Sequence, residues 1–134
     1  MARTALRGRL TWQLADLVDR IDETPKVRSL VLDVPDWSGH SPGQHVDVRL
    51  TAPDGYQAER SYSISTPADG QRITITVERL EDGEVSPYLV DELAIGDRLE
   101  LRGPIGGWFV WKPDLGGSLF LAGGGSGLAP LMAM

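Results

Sequence analysis

Over most of this chain apolar and polar residues alternate with a period of two, the signature of strands with one buried face. Gln44 to Leu50 sets Val46, Val48 and Leu50 against His45, Asp47 and Arg49. Arg72 to Leu80 alternates Ile73, Ile75 and Val77 with polar residues, and Val27 to Val34 is rich in branched side chains. Gln57 to Thr66 and Asp97 to Leu101 complete five clear strands. Leu10 to Ile21 is less regular. Leu10, Trp12 and Leu14 share one parity, the phase slips near Ala15-Asp16 as at a bulge, and Leu17, Val18 and Ile21 follow. Strand is the reading adopted there, with helix as its competitor.

Turn residues separate these segments. Asp22 to Pro25, Ala52-Pro53-Asp54-Gly55 and Ala68-Asp69-Gly70 are turns, and Pro35 to Gly43 is a long loop. Between the fifth and sixth strands, Ser86-Pro87 precedes Tyr88 to Leu93. A serine N-cap and a proline at the first helical position predict a helix, with Leu89, Val90 and Leu93 on one face and Gly96 as its stop. Gly103-Pro104-Ile105-Gly106-Gly107 reads as a loop before the aromatic run Trp108-Phe109-Val110-Trp111.

The fold class expected is all-β: a six-stranded antiparallel Greek-key-type barrel with one helix after strand five. After Asp114 the pattern changes. Ser118 to Ala122 is continuously apolar, like a strand buried in a parallel sheet. Gly123 to Gly127 and then Leu128 to Met132 follow, which is strand, glycine turn, helix: the first β-α element of an α/β nucleotide-binding domain. Three regions result. Residues 1–9 are a flexible basic arm carrying Arg3, Arg7 and Arg9, 10–112 are the barrel, and 113–134 begin a second domain. The parent chain is expected to continue by about 100 residues or more of α/β domain.

With 134 residues and 41% hydrophobic side chains, the chain suits one domain with a real core. A net charge of −6 argues against a nucleic-acid or anionic-membrane partner. No cysteine is present, which excludes disulfides, thiol catalysis and an iron–sulfur cluster held by these residues and is compatible with the cytoplasm. No apolar run approaches the ~20 residues of a membrane span. His40 and His45 lack metal-ligand spacing and are read as structural, with no metal site expected.

The candidate chemistry lies in Glu59-Arg60-Ser61-Tyr62-Ser63-Ile64-Ser65-Thr66-Pro67. Arg60, Tyr62, Ile64 and Thr66 share one parity, and Ser61, Ser63 and Ser65 the other. A guanidinium matches a phosphate, a phenol ring stacks on a flat heterocycle, and a hydroxyl can hydrogen-bond a ring nitrogen. Together these describe the parts of a flavin nucleotide. The plainer explanation is a solvated strand end with one half-buried tyrosine. Two glycine turns before helices, Gly83 to Ser86 and Gly123 to Gly127, add candidate phosphate sites.

Taken in order, Pro42-Gly43-Gln44, Arg60-Ser61-Tyr62-Ser63, Val77-Glu78-Arg79, Gly83-Glu84-Val85-Ser86, Gly96-Asp97, Gly103 to Gly107 and Gly123 to Pro130 resemble the FAD-binding domain of the ferredoxin–NAD(P)+ reductase superfamily, which includes oxygenase reductases. The resemblance spans about residues 10 to 134. It implies that Arg60 contacts the flavin phosphates, that Tyr62 stacks on the isoalloxazine, and that Ser63 hydrogen-bonds near N5. Tyr62 and Ser63 would then be the catalytic residues. Ser61 would join the cofactor site. Gly83, Val85 and Ser86 would offer backbone amides and a hydroxyl to the pyrophosphate, and Thr76, Val77 and Arg79 would line the pocket. Gly124, Gly125, Ser126 and Gly127 would begin the nicotinamide-nucleotide site, with Ser126 where many members have threonine. Glu84, a carboxylate beside a phosphate site, is expected to point away.

The resemblance further implies FAD rather than FMN, and NAD(P)H as co-substrate. The electron acceptor would be an iron–sulfur protein or an oxygenase. Residues 1–134 alone are not expected to turn over NAD(P)H. The rival reading is a non-catalytic flavin- or nucleotide-binding barrel; an oligonucleotide-binding barrel is disfavoured by the acidic balance.

Overall fold

A computed structural model of the chain describes residues 11–107 and 128–134. Its strands are β1 (Gln13–Thr24), β2 (Val27–Asp33), β3 (His45–Thr51), β4 (Gln57–Ser63), β5 (Arg72–Glu78) and β6 (Arg98–Ile105). They form one sheet in the order β4-β3-β6-β1-β2-β5, and every neighbouring pair is antiparallel. The β3–β6 and β2–β5 pairs join strands far apart in sequence, which gives Greek-key-type crossovers. The alternating apolar positions form the core: Leu30, Leu32, Val46, Val48, Ile73, Ile75, Val77, Leu99 and Leu101 are buried together with Ala15 and Leu17. Each large aliphatic side chain removed from water contributes about 1.5–3 kcal/mol.

The six antiparallel strands are those expected, but the barrel is not closed. Its end strands meet at one isolated bridge, Ile64 to Ile75, reinforced by Ser65 N–H donating to Thr74 O at 2.8 Å. Beyond that rung the twist of the sheet carries β4 and β5 apart.

β1 is a strand and not a helix because it serves two partners. Gln13–Asp16 pairs with β6, and Asp16–Thr24 with β2. The register shift falls between Leu17 and Asp19, slightly later than the phase slip suggested. The turn expected over Asp22 to Pro25 is tighter, since Asp22 and Thr24 remain paired with Arg28 and Val27. β6 continues to Ile105, through residues expected to be a loop. Gly103 lies where the β3–β6 register shifts, and a Cβ there would stand 3.0 Å from Val46 Cγ1 and 3.1 Å from His45 O. Glycine in this strand permits close backbone approach instead of ending the strand.

The predicted helix is short: Ser86 and Pro87 are α-helical, with Leu89 N–H donating to Val85 O at 3.2 Å, and Tyr88–Glu92 continues as a π-helical turn closed by Leu93 N–H donating to Tyr88 O at 2.9 Å. Its N-cap is Pro87, and no side chain caps it. The Ser86 hydroxyl, expected to do so, is buried and accepts Leu80 N–H at 2.9 Å. Val85, Leu89, Val90 and Leu93 join the barrel core. A short helix, α1 (Leu128–Met132), buries Ala129, Pro130 and Leu131. The basic arm 1–9, Trp108-Phe109-Val110-Trp111, the apolar strand 118–122 and the turn 123–127 lie outside the described residues. No helix among the described residues is long and apolar enough to cross a membrane.

Candidate functional site

The place where β4 and β5 part is a groove of about 240 Å3, lined by Ser61, Tyr62 and Ser63 on one side and Thr76, Glu78 and Leu80 on the other, with Ala129 of α1 beside them. Ile64 N–H donates toward β3, to Gln44 O at 3.0 Å, whereas Ser65 N–H points the other way, to Thr74 O. Backbone groups alternate sides along an antiparallel strand, so the N–H groups of Ser61 and Ser63 face the groove. The predicted trio from β4 and Thr76 from β5 are therefore brought together.

Their side chains differ in what they have left to offer. Ser61 donates to Asp47 Oδ1 at 2.6 Å. Thr76 donates to Ser65 Oγ at 3.0 Å and so accepts from Ser29 Oγ at 2.9 Å, a hydroxyl chain that stiffens the groove wall. Among the described residues the Ser63 hydroxyl has no partner, which leaves it available to a ligand. Tyr62 is half-buried against the core. Its phenol is pushed up to about 12, chiefly by burial, with the Arg60 charge pulling the other way. It therefore presents a neutral ring over the whole physiological range.

The sign of the pH dependence follows. A raised folded-state value means that the folded chain holds this proton more tightly than the unfolded chain. The stabilising contribution is whole below the ordinary phenol value of 10.0 and is lost as pH rises toward 12. Tyr62→Phe is expected to flatten the fall of the denaturation midpoint between those limits and to remove a late component from the tyrosinate absorbance titration. A titration curve unchanged by the substitution would place that late phenol elsewhere.

Arg60 stands next along β4, half-exposed, and donates to Glu59 O at 2.6 Å and to Glu84 Oε1 at 3.0 Å. Glu84 thus does not point away from the proposed phosphate ligand; it pairs with it. Tyr56 O–H donates to Glu84 Oε2 at 2.6 Å. These two donors hold the Glu84 carboxyl below its usual range, Tyr56 having the larger influence.

Other expected members lie elsewhere. Val77 has the opposite parity to Thr76 and is fully buried in the core. Arg79 donates to Asp91 Oδ1 and Oδ2 at 2.9 and 3.2 Å, clamping the π turn. Gly83 N–H donates to Leu80 O at 2.9 Å and Ser86 Oγ accepts Leu80 N–H, so both close their own loop instead of presenting those groups outward. A Cβ on Gly83 would sit 2.8 Å from Ser86 Oγ, which explains the glycine. The Val85 side chain is core, so the group it could offer a pyrophosphate is its backbone N–H. Gly124, Gly125, Ser126 and Gly127 lie outside the described residues. His40 accepts from Trp37 Nε1 at Nδ1, 3.2 Å, which leaves Nε2 to donate to Thr66 O at 2.8 Å, a structural tie as expected.

Glu78, Leu80 and Ala129 were not anticipated. Glu78 was accessible by extending the parity of Thr76; Ala129 carries no local signal. A larger hollow, about 690 Å3, opens between the β3–β4 turn and the start of β6. Tyr56 and Glu84, the partners of the Arg60 cluster, stand in its wall, where Arg49 is paired with Glu100 and Arg98 with Asp16. A slot between two strand edges, with a neutral phenol wall, inward N–H groups, an available hydroxyl and a guanidinium further along, fits a flat heterocycle bearing a phosphate tail.

Residues 15–110 match the family described as the oxidoreductase FAD-binding domain. The chain is 36% identical to the reductase subunit of an aromatic O-demethylase from Amycolatopsis sp., covering 98% of this chain and 41% of the relative. It is 41% identical to a flavohemoprotein of Pseudomonas putida over 69% of this chain and 23% of the relative. The crystal structure of an Amycolatopsis cytochrome P450 reductase superposes with a TM-score of 0.78 at 32% identity, over 92% of this chain and 38% of that one. The chain thus spans less than half the length of these relatives.

Proposed function

The chain belongs to the oxidoreductase FAD-binding domain family, and from that premise we propose that it is the flavin module of an NAD(P)H-dependent oxidoreductase whose electron acceptor is an iron–sulfur protein or an oxygenase. The observation that carries the proposal is the groove between the parted edges of β4 and β5, where Tyr62, Ser63 and Thr76 converge, with Arg60 two residues from Tyr62 along β4. The oxygenase-linked reductases among its relatives support the choice of acceptor. A cytoplasmic location is part of the same proposal.

Bound FAD would supply the redox chemistry, accepting two electrons as hydride and releasing them singly. The protein's own residues orient and shield. Tyr62 offers a ring face that stays uncharged. Ser63 offers a hydroxyl and a backbone N–H to the polar ring edge, and Arg60 offers a fork of donors to phosphate. Ala129 adds an apolar side chain to the lining of the slot. Residues 113–134 are proposed to open the NAD(P)-binding domain, with Gly124 to Gly127 at its phosphate turn.

The first test is the absorbance spectrum and flavin identity of the purified protein; a preparation that neither carries nor takes up FAD overturns the reading. The second concerns Ser63. Charge at the ring edge changes during reduction, so its hydroxyl matters more to electron transfer than to binding. In an intact NAD(P)H-reactive protein carrying this module, Ser63→Ala is expected to slow hydride transfer by about five- to tenfold, the worth of one neutral hydrogen bond, while FAD stays bound. Stopped-flow reduction at the wild-type rate would remove that role.

A further inference from the structure

Arg60 and Glu84 are 24 residues apart in sequence, yet their side chains pair at 3.0 Å, with both 47% exposed. Tyr56, from the end of the β3–β4 turn, fixes the second carboxylate oxygen. A carboxylate and a phosphate present the same thing to a guanidinium: two oxygens with shared negative charge. They compete for one set of donors, and bringing both to Arg60 sets like charges side by side.

We propose that Glu84 is an internal competitor of the cofactor. It occupies the Arg60 guanidinium and must yield when the FAD phosphate binds, while Tyr56 positions it. The inference rests on the flavin reading and deepens it: Glu84 sets how tightly this site holds phosphate-bearing flavin, without contacting the flavin ring. Nothing in the local sequence signals the role, because the pair forms only when β4 and the 80–86 loop meet.

The experiment is a titration of FAD into apo protein, followed by quenching of flavin fluorescence, with riboflavin as a phosphate-free control. An exposed ion pair is worth at most about fivefold in an equilibrium constant, so Glu84→Gln is expected to tighten FAD by about three- to fivefold and to leave riboflavin unchanged. Tyr56→Phe is expected to shift FAD affinity in the same direction by less. In an Arg60→Ala background the Glu84→Gln effect should vanish, since there is nothing left to compete for. Arg60→Ala that weakens FAD while Glu84→Gln leaves it unchanged or weaker overturns the competitor role alone. A change in riboflavin equal to that in FAD also overturns it, because the effect would then not act through phosphate. Arg60→Ala without effect on FAD overturns the Arg60 assignment beneath both readings. Glu84 is exposed, and an unchanged far-UV circular dichroism spectrum establishes that the variant is folded.

Discussion

Arg60→Ala is expected to weaken FAD binding by roughly 10- to 100-fold. Charge-assisted hydrogen bonds from a guanidinium to phosphate contribute about 1.5–3 kcal/mol. Against this stands the contact Arg60 gives up, an ion pair to Glu84 in which both partners are 47% exposed. Such a pair contributes only about 0–1 kcal/mol, because water screens it and two long side chains must be held in place. The phosphate contact therefore dominates, and the loss survives subtraction. Titration of FAD into the apo protein measures it. Riboflavin, lacking phosphate, is expected to lose little. A dissociation constant for FAD equal to that of the unsubstituted protein would remove Arg60 from the site.

Ile75→Ala is expected to destabilise the fold by about 2–5 kcal/mol, the usual result of deleting a buried aliphatic side chain whose cavity cannot collapse. Ile75 is fully buried, lies opposite Leu30 on β2, and forms the rung with Ile64 that holds β4 to β5. The same rung fixes where the two strands part. The substitution should therefore weaken FAD binding as well, although Ile75 does not line the groove. Urea denaturation with and without FAD tests both effects. A midpoint within error of the parent would show that the rung carries little of the core.

Where one face of a strand is buried and the other wet, the sequence is easily read. Val46 and Val48, or Ile73, Ile75 and Val77, admit one register. The same period places Thr76 and Glu78 on the groove and Val77 in the core, so the placement of Val77 was already legible from parity. The resemblance to other flavin domains obscured it. Other features are ambiguous because one residue type serves two purposes. Gly103-Pro104 looks like a chain break, yet Gly103 stands inside β6 to let β3 come near. Ser86-Pro87 looks like a helix cap, but Leu80 N–H, six residues back, takes the hydroxyl. Tyr56 and Arg60 share the parity of one stretch, but Glu84 reaches them from a separate loop, and no periodicity reports that meeting.

The single rung between β4 and β5 has a consequence for the life of the protein outside catalysis. A strand edge paired on one side only is a template for a strand from another molecule. The N–H groups of Ser61 and Ser63 that would greet a ligand are also those that would recruit such a strand. Charged neighbours, Glu59, Arg60 and Glu78, discourage flat stacking along the edge, and a ligand in the groove removes the opportunity altogether. Ligand present at a hundredfold excess over its dissociation constant adds about 2.7 kcal/mol to stability by mass action. Protection from self-association is thereby linked to cofactor supply: the better loaded the protein, the smaller the fraction of molecules whose open edge can seed an aggregate.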